Sequence, residues 1–250
     1  MTYGNRPKRG LLMQAVRTDI KVQFRMGLYY IGLVVSVLLA LPLAFVVPAE
    51  FLPRALPVFV LLGIGSTTML YVAALVLKEK AEGTLNATLV SPLRHVDYIT
   101  AKVMSLSLLA LLETFVTIIV MLALTSREGV TFEMLSMLDF TLGLIGLAAM
   151  YVLFGLALVV RFNSLTDFLV PVLLLSGMIQ APFVHFLGIY EHWAFLLVPT
   201  SGPTIVMLQA LGPVDPTVGL FGYLWTGLWV IVLALWARRA FQRHIVEKAA

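Results

Sequence analysis

The chain has 250 residues, of which 60% are hydrophobic and only 12% charged, with a formal charge of +4 and no cysteine. A soluble domain ordinarily carries roughly 25% charged residues, so a soluble globular enzyme is excluded and a polytopic membrane protein is expected. Without cysteine there is neither a disulfide framework nor a thiolate metal site, and the basic residues sit at the edges of apolar runs rather than on a folded basic surface, which argues against nucleic acid. At about 20 apolar residues per spanning helix, the length accommodates six or seven helices and no further soluble domain, so any soluble machinery must come from another chain.

The first 25 residues are basic and lack the apolar core and cleavage site of a signal peptide, so they are expected to stay on the mature protein. Within residues 10–25, Leu12, Val16, Ile20 and Phe24 recur every four positions while Arg17, Asp19, Lys21 and Arg25 lie off that stripe. That pattern predicts an amphipathic helix in the membrane interface, leading like an elbow into the first span. Apolar spans are predicted at Met26–Val47, Leu56–Leu77, Val103–Leu124, Phe140–Val160, Phe168–Leu187 and Val218–Ala237. The predicted fold class is therefore all-α, with six transmembrane helices.

Charge fixes the expected orientation. Fifteen of the seventeen Lys and Arg residues fall in the N-terminal tail, the second and fourth connections and the C-terminal tail, leaving only Arg54 and Arg127 on the other side. By the positive-inside rule both termini are expected in the cytoplasm of a multi-pass protein of the cell membrane. Phe195–Leu211 is apolar enough to suggest a seventh span, but Pro199, Gly202 and Pro203 interrupt it. A seventh crossing would also place the basic C-terminal tail outside. The stretch is expected to form one or two short helices at the outer face or re-entering it, buried against protein because broken backbone cannot face lipid.

Residues 78–102, KEKAEGTLNATLVSPLRHVDYITAK, form a polar segment between the second and third spans. The second helix is expected to run on through Lys78, Glu79, Lys80 and Glu82 until Gly83 breaks it. Thr84 can then cap a short helix, and Pro92 stops it, which leaves Leu85 and Leu89 on a helix too short to be stable alone in water. Such leucines require a partner, either another chain or the protein's own helices.

The string Glu82, Gly83, Thr84, Leu85, followed by Ser91, Pro92, Leu93, Arg94 and then Lys102, with the charged pair around Glu79 before it, resembles the signature of ABC type-2 exporter permeases. Arg161 to Pro182, with Ser176 and Gly177, resembles their fifth helix, and Asn86 departs from an acidic residue frequent in the family. Asp19 to Tyr30, with Gln23, Phe24, Arg25 and Gly27, resembles fluoroquinolone-export permeases. The resemblance implies a coupling helix, Thr84–Val90, seated in a separate ATPase subunit, with Glu79, Glu82, Gly83, Thr84, Leu85, Leu89, Ser91, Pro92 and Arg94 as ATPase-coupling residues. It also implies two permease and two ATPase subunits, the second permease being a copy or a paralogue. No cofactor is expected on this chain, since it has no G-x-x-x-x-G-K-S/T phosphate loop; ATP and Mg would bind the partner subunit.

Glu113 is the acidic residue deepest in any predicted span, eleven positions past Lys102 and so about 16 Å along a helix. A carboxylate at that depth costs on the order of 3 kcal/mol or more unless it faces protein or a wet cavity. It is a candidate for the substrate path or a gate, or else a structural acid packed against Thr114 or Thr117. His185 and His192 with Glu191 lack the spacing and the fourth ligand of a metal site, so none is expected. Tyr29, Tyr30, Trp193, Trp225, Trp229 and Trp236 read as interfacial residues, and Met69, Met104, Met150 and Met178 as packing. Gly143, Gly146, Ala149 and Gly155 would allow close helix approach. The leading function is the permease of an ATP-driven exporter of amphiphilic drug-like or lipid-like compounds; a membrane scaffold or intramembrane enzyme is the alternative.

Overall fold

A computed structural model describes residues 8–85, 94–125 and 136–246. Among these residues every regular element is helical, and six helices are long and apolar enough to cross a membrane. The chain is a multi-pass membrane protein. Its helices in order are α1 (Lys8–Arg25), α2 (Leu28–Phe45), α3 (Leu52–Ala81), α4 (His95–Leu124), α5 (Met137–Val159), α6 (Leu165–Gln180), the single turn α7 (Phe183–Phe186), α8 (Ser201–Gln209) and α9 (Pro216–Phe241).

Local signals set these boundaries. Gly27 takes φ 77° between α1 and α2, a left-handed conformation that costs glycine little and turns the chain sharply. Ser136 and Ser164 cap α5 and α6 by accepting from the backbone N–H of Asp139 and Asp167. Asp215 does the same for α9 at Thr217, and the Thr217 hydroxyl, followed by its backbone N–H, holds the exposed Asp215 carboxyl below the usual range. Helices α3 and α4 overrun the expected spans at the end where they flank residues 86–93. There α3 continues to Ala81 and α4 starts at His95, because polar residues continue a helix in water as readily as apolar ones do in lipid.

The most enclosed of the six spans is α5, which packs against α3, α4, α8 and α9. Its small residues explain how. A Cβ on Gly143 would stand 2.8 Å from the Pro203 carbonyl oxygen, and one on Gly146 would stand 2.6 Å from the Thr226 side chain. Only at glycine can α8 and α9 come this close. Helix α8 is buried from Ser201 to Met207, so the interrupted stretch 195–211 is a protein-packed short helix preceded by the 3-10 turn Trp193–Leu197. The Thr200 hydroxyl donates to the Ile179 carbonyl at 2.5 Å, tying this excursion to the end of α6, and that of Ser201 donates to the Phe195 carbonyl at 2.6 Å, tying α8 to the preceding turn. In α2, α6 and α9 long rows such as Val34, Leu38 and Leu41, or Leu220, Leu224, Leu228 and Ile231, remain exposed. Apolar rows of this length suit a hydrocarbon surrounding.

Candidate functional site

Two polar clusters lie inside this apolar bundle. The first is centred on Glu113, in the middle of α4 and only 4% exposed. The Tyr71 hydroxyl of α3 donates to its Oε1 at 3.0 Å, and Thr67 Oγ1 stands 3.5 Å from Oε2, at the limit of hydrogen bonding. Gly32 of α2 makes the room, since a Cβ there would lie 2.2 Å from Oε1. One turn on, the single Ser36 hydroxyl proton is shared between the Gly32 carbonyl at 2.8 Å and the Glu113 carbonyl at 2.9 Å, while Thr117 donates to the Glu113 carbonyl at 2.9 Å and lies 3.3 Å from that of Ser36. The result is a polar knot joining α2, α3 and α4. The cavity beside it, lined by Ser36, Thr114 and Thr117 among apolar groups, measures about 10 Å³, far below the 300 Å³ and more of a drug-sized site.

On the other side of α3, Ser66 is exposed at the protein surface. Gln180 of α6 donates to its Oγ at 3.1 Å and to Ser176 Oγ at 2.9 Å. Tyr151 of α5 packs where Gly65 leaves space, as a Cβ there would stand 2.5 Å from the Tyr151 hydroxyl. Helix α3 therefore has two polar sides at one level, Ser66 toward α6 and Thr67 with Tyr71 toward Glu113. A separate groove of about 430 Å³, between α5, α6 and α9, is drug-sized but almost wholly apolar, with Phe154, Met178, Trp229 and Trp236 among its walls.

The second cluster lies where α3 ends and α4 begins. The Lys102 amine, 1% exposed, donates to Asp19 Oδ1 of α1 at 2.6 Å and to Glu79 Oε1 of α3 at 2.5 Å. The Tyr98 hydroxyl donates to Glu79 Oε2 at 2.6 Å, and its ring lies 5.1 Å from the amine and 5.2 Å from the ring of Phe241 at the end of α9. Gln23 of α1 donates to Ser105 of α4 at 2.9 Å. Burial pushes the Asp19 carboxyl above its ordinary range, outweighing the opposing pull of Lys102. Beside this cluster Lys80 donates to the carbonyls of Val160 and Phe162 at 2.9 and 2.8 Å, placing a cation at the negative end of α5.

The residues singled out in the sequence are distributed unevenly over these sites. Glu79 accepts from Lys102 and Tyr98. Glu82 ends α3 and makes a loose exposed pair with Lys78 at 3.8 Å, and Gly83 takes φ 69° as the helix stop its position suggests. Thr84 donates to the Glu79 carbonyl at 3.2 Å. Leu85 is 2% exposed within the protein's own core, so of the two partners open to it the protein's own helices cover this leucine. Leu89, Ser91 and Pro92 lie outside the described residues, and Arg94 is exposed just before α4.

The stripe on α1 is divided. Val16 is buried, Leu12 and Ile20 are partly buried, and Phe24 is exposed and stacked on Tyr29 at 3.9 Å. The protein-facing side is instead Val16, Asp19 and Gln23, because two polar groups find buried partners on α4. His185 accepts from the backbone N–H of His192 at 3.2 Å. Among the described residues no group of three His, Asp or Glu could hold a metal. Sequence reading missed Asp19, Gln23, Tyr71 and Gly32 as site residues. Asp19 and Gln23 were marked only by the stretch Asp19 to Tyr30 that resembles export permeases and by their recurrence on one side of α1.

A model of the Fluoroquinolones export permease protein family matches residues 10–249, the region that holds both clusters. The chain belongs to the fluoroquinolones export permease family. Two relatives agree: the fluoroquinolones export permease proteins of Mycobacterium tuberculosis strains CDC 1551 / Oshkosh and ATCC 25618 / H37Rv. Each is 29% identical over 244 residues, spanning 95% of this chain and 98% of its own length. The family match gives the six helices a shared purpose, and as an export permease the chain is a transport protein.

Proposed function

We propose that this permease forms one half of the path of an ATP-driven exporter and couples to a separate ATPase subunit through residues 84–94. Two copies, or this chain and a paralogue, would enclose the path, with two ATPase subunits holding ATP and Mg on the cytoplasmic side beside both termini, in the cell membrane. The substrates it fits best are amphiphilic, drug-like compounds, in keeping with the name its relatives bear. Support comes first from the surface of α3 and α6, where the exposed Ser66 hydroxyl, held by the buried Gln180 behind it, interrupts an exterior otherwise made of Leu173, Leu174 and Met178. Polar groups facing hydrocarbon are costly, so this face suits a wet path shared with a second permease.

Glu113 would then act as a gate contact one layer behind the path. It is reachable through Thr67, and the bond from Tyr71 to its carboxyl together with that from the Ser36 hydroxyl of α2 to its backbone carbonyl holds α2, α3 and α4 together. The cytoplasmic joint around Lys102 supports coupling, since it fixes α3 and α4 on both sides of residues 86–93.

Reconstitution with the ATPase subunit tests the reading. Gln180→Leu should lower drug-stimulated ATP turnover without weakening subunit assembly, whereas Met178→Leu, two residues earlier, should not. Wild-type stimulation in Gln180→Leu would remove α3 and α6 from the path. Failure of the chain to assemble with any ATPase subunit would remove the exporter reading.

A further inference from the structure

Helix α1 has two unlike sides. Toward the bundle it presents Val16, Asp19 and Gln23; outward it presents Arg17, Lys21 and Arg25, with Met13 and Phe24 exposed beside them. The three cations repeat at i, i+4, so they form one row on the helix surface. Like charges at this spacing repel, and among the described residues no carboxylate pairs with any of them. A row of cations flanked by exposed apolar side chains, on a helix that leads directly into a membrane span, is complementary to an anionic lipid surface. Headgroup phosphates would neutralise the row while Met13 and Phe24 enter the acyl boundary.

The inner side of the same helix is bonded to the elements that flank residues 86–93. Asp19 and Glu79 share the Lys102 amine, Glu79 lies in the last turns of α3 and Lys102 in the first turns of α4, and Gln23 is bonded to Ser105. Removing one partner from such a buried group is strongly unfavourable. Displacing α1 therefore moves both flanks of the segment or breaks the joint.

We propose that anionic phospholipid headgroups bind the Arg17, Lys21 and Arg25 row and, through the Asp19–Lys102–Glu79 joint, set how productively residues 84–94 engage the ATPase. The coupling half rests on the docking reading proposed above; the lipid-binding half does not. Anionic lipid thus acts as a regulator, and α1 is the element that reads it.

The test uses the full permease with its ATPase subunit in vesicles of phosphatidylcholine alone or mixed with phosphatidylglycerol. Drug-stimulated turnover of wild type should rise about five-fold with phosphatidylglycerol, and the rise should shrink with added salt. The variant Arg17→Gln/Lys21→Gln/Arg25→Gln should keep the rate seen in phosphatidylcholine and lose the rise, while Arg17→Lys/Arg25→Lys, which conserves charge, should keep the rise. Asp19→Ala, which leaves the Lys102 amine nothing to donate to on α1, should lose the rise yet still enrich spin-labelled phosphatidylglycerol around the permease.

Equal wild-type turnover in both vesicles, or an intact rise in the triple Gln variant, overturns the proposal. Spin-label enrichment that depends on the Arg17 row in a permease unable to assemble with the ATPase would overturn the coupling and leave the lipid surface standing. Loss of that enrichment preference in wild type would overturn the lipid surface itself.

Discussion

Replacing Lys102 by Met is expected to be among the most damaging single substitutions in the protein. The Lys102 amine is 1% exposed and lies 2.6 Å from Asp19 and 2.5 Å from Glu79, whose side chains are 12% and 18% exposed. Methionine fills much of the same volume but leaves two carboxylates side by side, out of water, with no counter-charge. Breaking a buried ion pair from one side costs about 3–5 kcal/mol, which for a chain of this size corresponds to a fall in unfolding temperature of roughly 6–20 °C. Asp19→Asn is milder, about 1 kcal/mol, since the amine keeps Glu79 and the amide oxygen can still accept.

The decisive comparison is Lys102→Met/Asp19→Asn/Glu79→Gln. It removes every charge while leaving Tyr98 an acceptor, and it should recover more than half of the loss. Thermal unfolding of the purified permease in detergent, followed by the fraction that remains monodisperse, measures all three. A Lys102→Met variant as stable as Asp19→Asn would show that the triad is solvated, and no recovery in the triple variant would show that the cost is packing and not charge.

Gly32→Ala should destabilise α2 against α4 by about 1–3 kcal/mol, because its Cβ would meet Glu113 Oε1 at 2.2 Å and displace the carboxyl from Tyr71; Gly227→Ala, with open space around it, serves as the neutral control in the same thermal assay. Glu113→Gln keeps the acceptor for Tyr71 and should leave stability within about 1 kcal/mol of wild type. A gate role requires that drug transport nevertheless change, and unchanged transport in this variant would reduce Glu113 to a structural acid. Burial raises the Asp19 carboxyl above 3.8, so the native state holds that proton more tightly than the unfolded chain. Its ionisation then costs stability, and the cost is relieved as pH falls through the native value toward 3.8. The stability of wild type relative to Asp19→Asn should therefore rise on acidification across that window, as followed by unfolding at a series of pH values, and a constant difference would contradict the assignment.

Much of the architecture is legible in the residues because lipid imposes a simple rule. A span must be apolar over about 20 residues and must satisfy its own backbone, so composition and run length alone locate the helices. Pro199, Gly202 and Pro203 mark the stretch that could not cross, for the same reason. The run of α3 through its charged end to Ala81 was also legible, since Gly83 marks the stop, whereas the start of α4 at His95 lies in polar residues where no lipid rule applies. The left-handed φ of Gly83 is a local property that its position after a charged helix end already implied.

The partners of the polar residues followed a different logic. Glu113 stands out in the sequence by its depth, and Lys102 by its place in a motif, but neither carries any mark of what it touches. The bonds from Tyr71 to Glu113 and from Lys102 to Asp19 span 42 and 83 residues. A periodic stripe on α1 pointed at Leu12, Val16, Ile20 and Phe24, whereas the packed side is decided by Asp19 and Gln23. Periodicity counts apolar groups and is blind to a polar group that will find a buried partner. What the sequence by itself determined is thus the medium: an all-helical chain, six spans and a polar segment between the second and third. Only the tertiary structure decided which charges meet, since burial of a charge becomes tolerable only when helices distant in sequence bring its counter-charge to within hydrogen-bond distance.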